Sequence, residues 1–224
     1  AFYNCKQLIS ISISSVLSIG NKSFCKCSNL KKILFGEKSK LTKIGNSAFS
    51  ICGKLKSISI PSLVETIGNE AFNHCTNLEI ILFGEKSNLT KIGNSAFSIC
   101  GKLKSISIPS SVKLIGYGVF NQCFKLEKIS FGEKSKLTQI SNFSFSCCHE
   151  LKSILIPSLI ESIGLLAFEK CYKLKSIIIF SNISIIYNYA FLNCSNFECI
   201  QYFGTKEPNI SQNAFQGCPT LICI

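Results

Sequence analysis

The stretch Leu55-Lys56-Ser57-Ile58-Ser59-Ile60-Pro61-Ser62-Leu63-Val64-Glu65-Thr66-Ile67-Gly68-Asn69-Glu70-Ala71-Phe72-Asn73-His74-Cys75 carries the pattern that organises the whole chain. Ile58 and Ile60 alternate with Ser57 and Ser59, which is the two-residue period of a strand with one buried face. Pro61 then ends the strand, because proline cannot donate a ladder hydrogen bond. Val64 and Ile67 suit a second, shorter extended segment. The segment that closes the unit, Phe72 to Cys75 here and Ser47 to Cys52 one unit earlier, reads as a helical turn. Phe49 and Cys52 then form an i, i+3 pair on one face.

Outward from this stretch the pattern recurs along the chain. Ten cysteines, Cys5, Cys27, Cys52, Cys75, Cys100, Cys123, Cys148, Cys171, Cys194 and Cys218, follow one another at intervals of 22–25 residues, each three residues after a phenylalanine. A leucine, or Phe197 in one unit, follows each of these cysteines by three. The turn after the strand alternates between Ile-Pro-Ser, as at Ile60-Pro61-Ser62, and Phe-Gly-Glu-Lys-Ser, as at 35–39, giving a 48-residue super-period. Residues 35–62 and 83–110 differ only at Lys40 against Asn88, the mark of duplication. A fixed period of this size signals a solenoid, because one coil cannot bury its own apolar face and stacked coils bury a continuous one.

The unit resembles the leucine-rich repeat of the BspA-like, or Treponema pallidum, type, whose pattern L-x-x-I-x-[IL]-P-x-x-[LV]-x-x-I-G-x-x-A-F-x-x-C is matched almost letter for letter by Leu55 through Cys75. The resemblance spans essentially the whole chain. It implies an α/β leucine-rich-repeat solenoid, a right-handed curved coil. Its parallel β-sheet would lie on the concave face, with short strands and helical turns on the convex side. It also implies display on a cell surface, with adhesion to host or extracellular-matrix proteins. We expect a single domain over residues 1–224, about nine repeats of 22–25 residues. Because methionine is absent, we also expect a fragment of a longer chain, without terminal caps.

Composition limits the function classes. With 46% apolar and 16% charged residues the chain has ample material for a core, and it lacks the roughly 20 consecutive apolar residues of a membrane span. Zinc ligands come in close pairs converging on a point, whereas these cysteines fall one coil apart along a line. They read as a buried ladder of small, soft side chains, and no metal or cofactor is expected. His74 and His149 flank ladder cysteines in different repeats and read as surface residues rather than halves of a Cys–His dyad. No phosphate loop, nucleophile elbow or paired-carboxylate motif occurs, so no enzyme is expected. The net charge of +12 comes entirely from lysine. Without arginine the bidentate contacts of sequence-specific nucleic-acid readout are missing, so nucleic acid is not an expected partner. Acidic proteins and sulfated glycans remain compatible with the lysines.

The partner-binding residues expected are those on the outward side of each strand. They are Lys32 and Leu34, Ser57 and Ser59, Ile80 and Leu82, Ser105 and Ser107, Lys128 and Ser130, Ser153 and Leu155, and Ser176 and Ile178, with Cys199 and Gln201 continuing the series. Exposed leucines and isoleucines gathered among serines mark an interaction face. Cys199 and Cys223 occupy equivalent outward positions on consecutive coils, within reach of a disulfide across one rung. Two free thiols are the other reading. The expected function is a non-catalytic protein-binding or adhesion module, cell-surface or secreted, using its concave sheet. The alternative is an intracellular scaffold in the cytoplasm.

Overall fold

The structure is a computed structural model and describes residues 1–219. Nine four-residue strands recur along it: Ser10–Ile13, Lys32–Phe35, Ser57–Ile60, Ile80–Phe83, Ser105–Ile108, Lys128–Phe131, Ser153–Ile156, Ser176–Ile179 and Cys199–Tyr202. Each is followed by a two-residue strand, such as Thr66–Ile67 after Ser57–Ile60. All strand pairings are parallel and join consecutive coils, as Ser57–Ile60 joins Ile80–Phe83 with Ile58 beside Ile81. This is the parallel-strand solenoid of about nine turns that the period implies. Pro61 and Gly36 stand immediately after their strands, as read from the sequence.

Three columns fill the interior. The leucine after each cysteine and the two inward strand residues form one wall, with Leu55, Ile58 and Ile60 at 0, 2 and 1% exposure. The phenylalanines stack from coil to coil at centroid separations of 5.1–5.8 Å, their planes within 14° of parallel. Full burial of each such ring contributes about 2–3 kcal/mol, and the offset stack adds to this. The cysteine ladder is the third column. Cys27, Cys52, Cys75, Cys100, Cys123, Cys148, Cys171 and Cys194 are each wholly buried.

The ladder thiols are bonded as well as buried. Cys52 Sγ donates to the carbonyl of Phe24 at 3.2 Å, Cys75 to Phe49 at 3.2 Å and Cys100 to Phe72 at 3.4 Å. The series continues to Cys218, which reaches Phe191 at 3.0 Å. Each bond crosses from one coil to the coil before it. Burial pushes the Cys75 and Cys123 thiols up to about 12 and raises Cys100 and Cys148 as well, so these groups stay protonated donors.

The expectation of a helical turn between Ser47 and Cys52 is corrected. No helix is present among the described residues. Within this segment Ser47 and Ile51 have φ of 50° and 61°, and the same two positions repeat in other coils, as at Glu70 and His74. The backbone bonds explain why a helix loses. The N–H groups of Ser47, Phe49 and Ile51 donate to the carbonyls of Asn69, Ala71 and Asn73 on the next coil. Those of Ala48, Ser50 and Cys52 donate three residues back, to Gly45, Ser47 and Phe49. A helix would keep every bond within the coil; this zigzag spends alternate ones on stacking and accepts left-handed residues to do so.

An asparagine ladder, unread in the sequence, holds the short strands. Asn21 Oδ1 accepts from the Asn46 N–H at 2.8 Å, Asn46 from Asn69 at 2.9 Å and Asn69 from Asn94 at 2.9 Å. The close approach requires glycine at positions 45, 68 and 93, just before Asn46, Asn69 and Asn94. A Cβ at Gly68 would lie 2.6 Å from Asn46 N, and one at Gly93 would lie 2.5 Å from Asn69 N.

The long strands do not form one continuous sheet. They pair as two, two, two and three, with the ladder interrupted after Lys32–Phe35, Ile80–Phe83 and Lys128–Phe131. Every interruption follows a coil with the Phe-Gly-Glu-Lys-Ser turn. Those coils are longer, and Phe35, Phe83 and Phe131 remain half-buried where Ile60, Ile108 and Ile156 pack fully. The larger ring and longer turn hold the following strand away.

Candidate functional site

The strand register assembles the expected face. Ser57 lies beside Ile80 and Ser59 beside Leu82; Ser105 and Ser107 lie beside Lys128 and Ser130. Ser153 and Leu155 lie beside Ser176 and Ile178, which in turn lie beside Cys199 and Gln201. Lys32 and Leu34 meet Ser10 and Ser12 at the other end. Their inward neighbours are buried or half-buried, while Ile80, Leu82 and Leu155 are 50–57% exposed. Ser130, Ser176 and Ile178 are half-buried.

The structure extends this face at one end. Phe180 and Phe203, both more than half exposed, stack at 4.9 Å on adjacent coils. With Leu155 beside Ile178, they make an apolar strip. Phe180 and Leu155 also line a groove of about 740 Å³ opened by the sheet interruption after Lys128–Phe131. Phe180 follows its strand where Pro61, Pro109 and Pro157 follow theirs, so the Ile-Phe-Ser at 179–181 was the available signal. The pairing with Phe203 depended on the register.

Charge beside the face is mixed. From Ser57–Ile60 onward the residue before each long strand runs Lys56, Glu79, Lys104, Glu127, Lys152, Lys175 and Glu198 along the stack, all exposed. Lys152 Nζ meets Glu127 at 3.4 Å. Such exposed pairs contribute little stability and hold part of the lysine charge in local pairs.

The histidines take no part in a dyad. His149 lies between Phe124 and Tyr172, with centroids 5.1 and 4.8 Å away, while Cys148 donates to the Phe120 carbonyl at 3.3 Å. Desolvation lowers the His149 pKa. His74 bonds the side chain of Asn73. Among the described residues no group of three or more His, Cys, Asp or Glu side chains could hold a metal, and no helix is long and apolar enough to cross a membrane. Cys199 has a partner and is not among the free thiols; Cys223 lies outside the described residues.

Parallel strands stacked coil upon coil, with leucine, phenylalanine and cysteine repeated in columns, define the class as a leucine-rich-repeat solenoid. The BspA type leucine rich repeat region, in six copies, matches residues 1–127 and 90–222. The chain belongs to this family. Among solved structures it is similar to the pneumococcal vaccine antigen PcpA, at 24% identity and a TM-score of 0.62 over 95% of this chain and 60% of that one. A leucine-rich repeat protein from Bacteroides ovatus aligns at 25% identity and a TM-score of 0.60, over 97% of this chain and 72% of that one. The T. pallidum leucine-rich repeat protein aligns at 22% identity and a TM-score of 0.57, over 94% and 84%. The chain thus spans about three fifths of the length of the pneumococcal antigen. No curated protein matches it.

Proposed function

We propose that the chain is a non-catalytic protein-binding module, part of a cell-surface or secreted protein, that holds a host or matrix protein on its long-strand face. In this reading the coil is right-handed and that face curves inward around the ligand. The supporting observation is the apolar strip of Leu155, Ile178, Phe180 and Phe203 on the long-strand face, where serine is the commonest outward residue. Apolar groups gathered on one exposed face gain by being covered, and a rigid stack lowers the ordering cost of binding. Lysines not paired with glutamate steer an acidic partner toward it.

The test is the variant carrying Leu82→Lys with Leu155→Lys, assayed by adhesion or pull-down against matrix proteins. Loss of about ten-fold or more in binding is expected, since two desolvated charges oppose the contact. A signal that persists unchanged rejects the long-strand face.

The second reading is an intracellular scaffold in the cytoplasm, where a reducing compartment keeps thiols free. Mass spectrometry after alkylation under native isolation separates the two. A Cys199–Cys223 bridge supports export, and full alkylation of both after unfolding supports the scaffold.

A further inference from the structure

The short-strand ladder is interrupted once among the described residues, between Leu114–Ile115 and Gln139–Ile140. In the coils before it the bond across this rung is backbone to backbone, as Gly93 N–H to Ile67 at 2.8 Å and Gly116 N–H to Ile92 at 2.9 Å. At the interruption the glycine is replaced by Ser141, whose hydroxyl donates to the Ile115 carbonyl at 2.6 Å. The hydroxyl bridges this rung in place of the backbone N–H, which at the equivalent Tyr187 and Ser211 still reaches the coil before. A groove of about 780 Å³ lies over this position. The long-strand grooves recur with the super-period; this one is centred on a single irregular rung.

Its chemistry is unlike that of the long-strand face. Asn94, Tyr117, Gln139, Asn142, Tyr187 and Asn188 line it, and Lys91 is its one charged residue. The tyrosine rings are 55 and 45% exposed at positions 117 and 187. The ladder bonds settle which end of each amide is committed. Asn94 Oδ1 accepts from the Tyr117 N–H at 3.2 Å and Asn142 Oδ1 from the Leu165 N–H at 2.9 Å, so the Nδ2 donors are left uncommitted to the ladder. Tyr117 and Tyr187 sit three coils apart, about 14 Å at strand spacing.

We propose that this groove binds a neutral oligosaccharide. Sugars offer C–H faces that pack on aromatic rings and hydroxyls that both accept from amide N–H groups and donate to amide oxygens. Two exposed rings with amides between them supply both contacts along an extended ligand. With Lys91 its one charged residue, the groove offers an anionic ligand a single partner and a cationic group none. This site is separate from the long-strand face and does not depend on its function.

The test is calorimetric titration of the intact chain with cellohexaose, chitohexaose and maltohexaose, and with a heparin hexasaccharide as the anionic comparison. At least one neutral hexasaccharide should bind, with affinity falling ten-fold or more in Tyr117→Ala and in Tyr187→Ala and surviving in Tyr117→Phe. Ser141→Gly, which lets the rung close, should also weaken it, whereas Leu82→Lys with Leu155→Lys should leave it intact. Saturation transfer from sugar C–H protons to tyrosine ring protons reads the same contact in the unaltered chain. The proposal is overturned if no neutral sugar binds. It is equally overturned if binding survives loss of both rings, if heparin binds tighter than every neutral probe, or if an extended peptide displaces the sugar from the same rings.

Discussion

A cysteine that merely filled a slot could be replaced by alanine at the cost of one atom. Here its thiol also bonds the phenylalanine carbonyl of the coil before it, 3.4 Å away at Cys100. The Phe72 carbonyl keeps the Cys75 N–H at 3.2 Å, so Cys100→Ala should cost about 1–2 kcal/mol in denaturant unfolding, combining a small cavity with the loss of one of that carbonyl's two donors. The same burial predicts a pH dependence. The folded pKa of Cys75 and Cys123 is raised to about 12 from an ordinary value of 9.0. A raised folded pKa leaves stability intact below the unfolded value and removes it as pH climbs toward the folded one. Thermal midpoints followed by circular dichroism should thus hold steady to about pH 9 and fall between there and pH 12. Ile51, β-branched at φ 61° and exposed, isolates the backbone term. Ile51→Gly should leave stability unchanged or raise it by about 1 kcal/mol. Ile51→Pro should cost about 3 kcal/mol or more, because it removes the N–H that reaches Asn73. The inward placement of the cysteines was legible from spacing alone. Their bonds were not, because the acceptor lies on another coil some 25 residues away in sequence.

At the level of strands, the two turn types proved to be a pairing rule. Strands that follow the Ile-Pro-Ser coil lie in a ladder with it, and those that follow the Phe-Gly-Glu-Lys-Ser coil do not. Amides of Ser176–Ile179, paired on both sides, should accordingly exchange hydrogen more slowly than those of Ser57–Ile60, Ile80–Phe83, Ser105–Ile108, Lys128–Phe131 and Ser153–Ile156, each open on one side. Equal protection across all six would remove the interruptions. The strands themselves, their ends and their outward residues could be read from alternation and turn chemistry. The helical turn could not be judged correctly, since an i, i+3 pair of apolar residues serves a helix and a stacked turn equally. What decides between them is the row of carbonyls on the neighbouring coil, which no local window contains. The Phe180–Phe203 stack escaped for a similar reason: each phenylalanine is unremarkable until the register sets them side by side.

Over the whole molecule, contacts reach only from one coil to the next, and stability accumulates along the axis. Removing residues 62–109 joins Pro61 to Ser110 and restores the same local sequence with two coils fewer. This variant should fold cooperatively, with a denaturant slope reduced in proportion to the lost surface, and should be about 10 Å shorter by solution scattering. A non-cooperative or unfolded product would mean that distant coils depend on one another. The long-strand ladders pair inside a 48-residue unit and open between units, while the short strands repeat the same glycine–asparagine rung in most coils. Such a segment can be gained or lost whole by unequal recombination without leaving a mismatched seam. Length then becomes a heritable variable that selection can adjust in steps of two coils. Alleles of this gene should differ by multiples of that unit far more often than by single repeats.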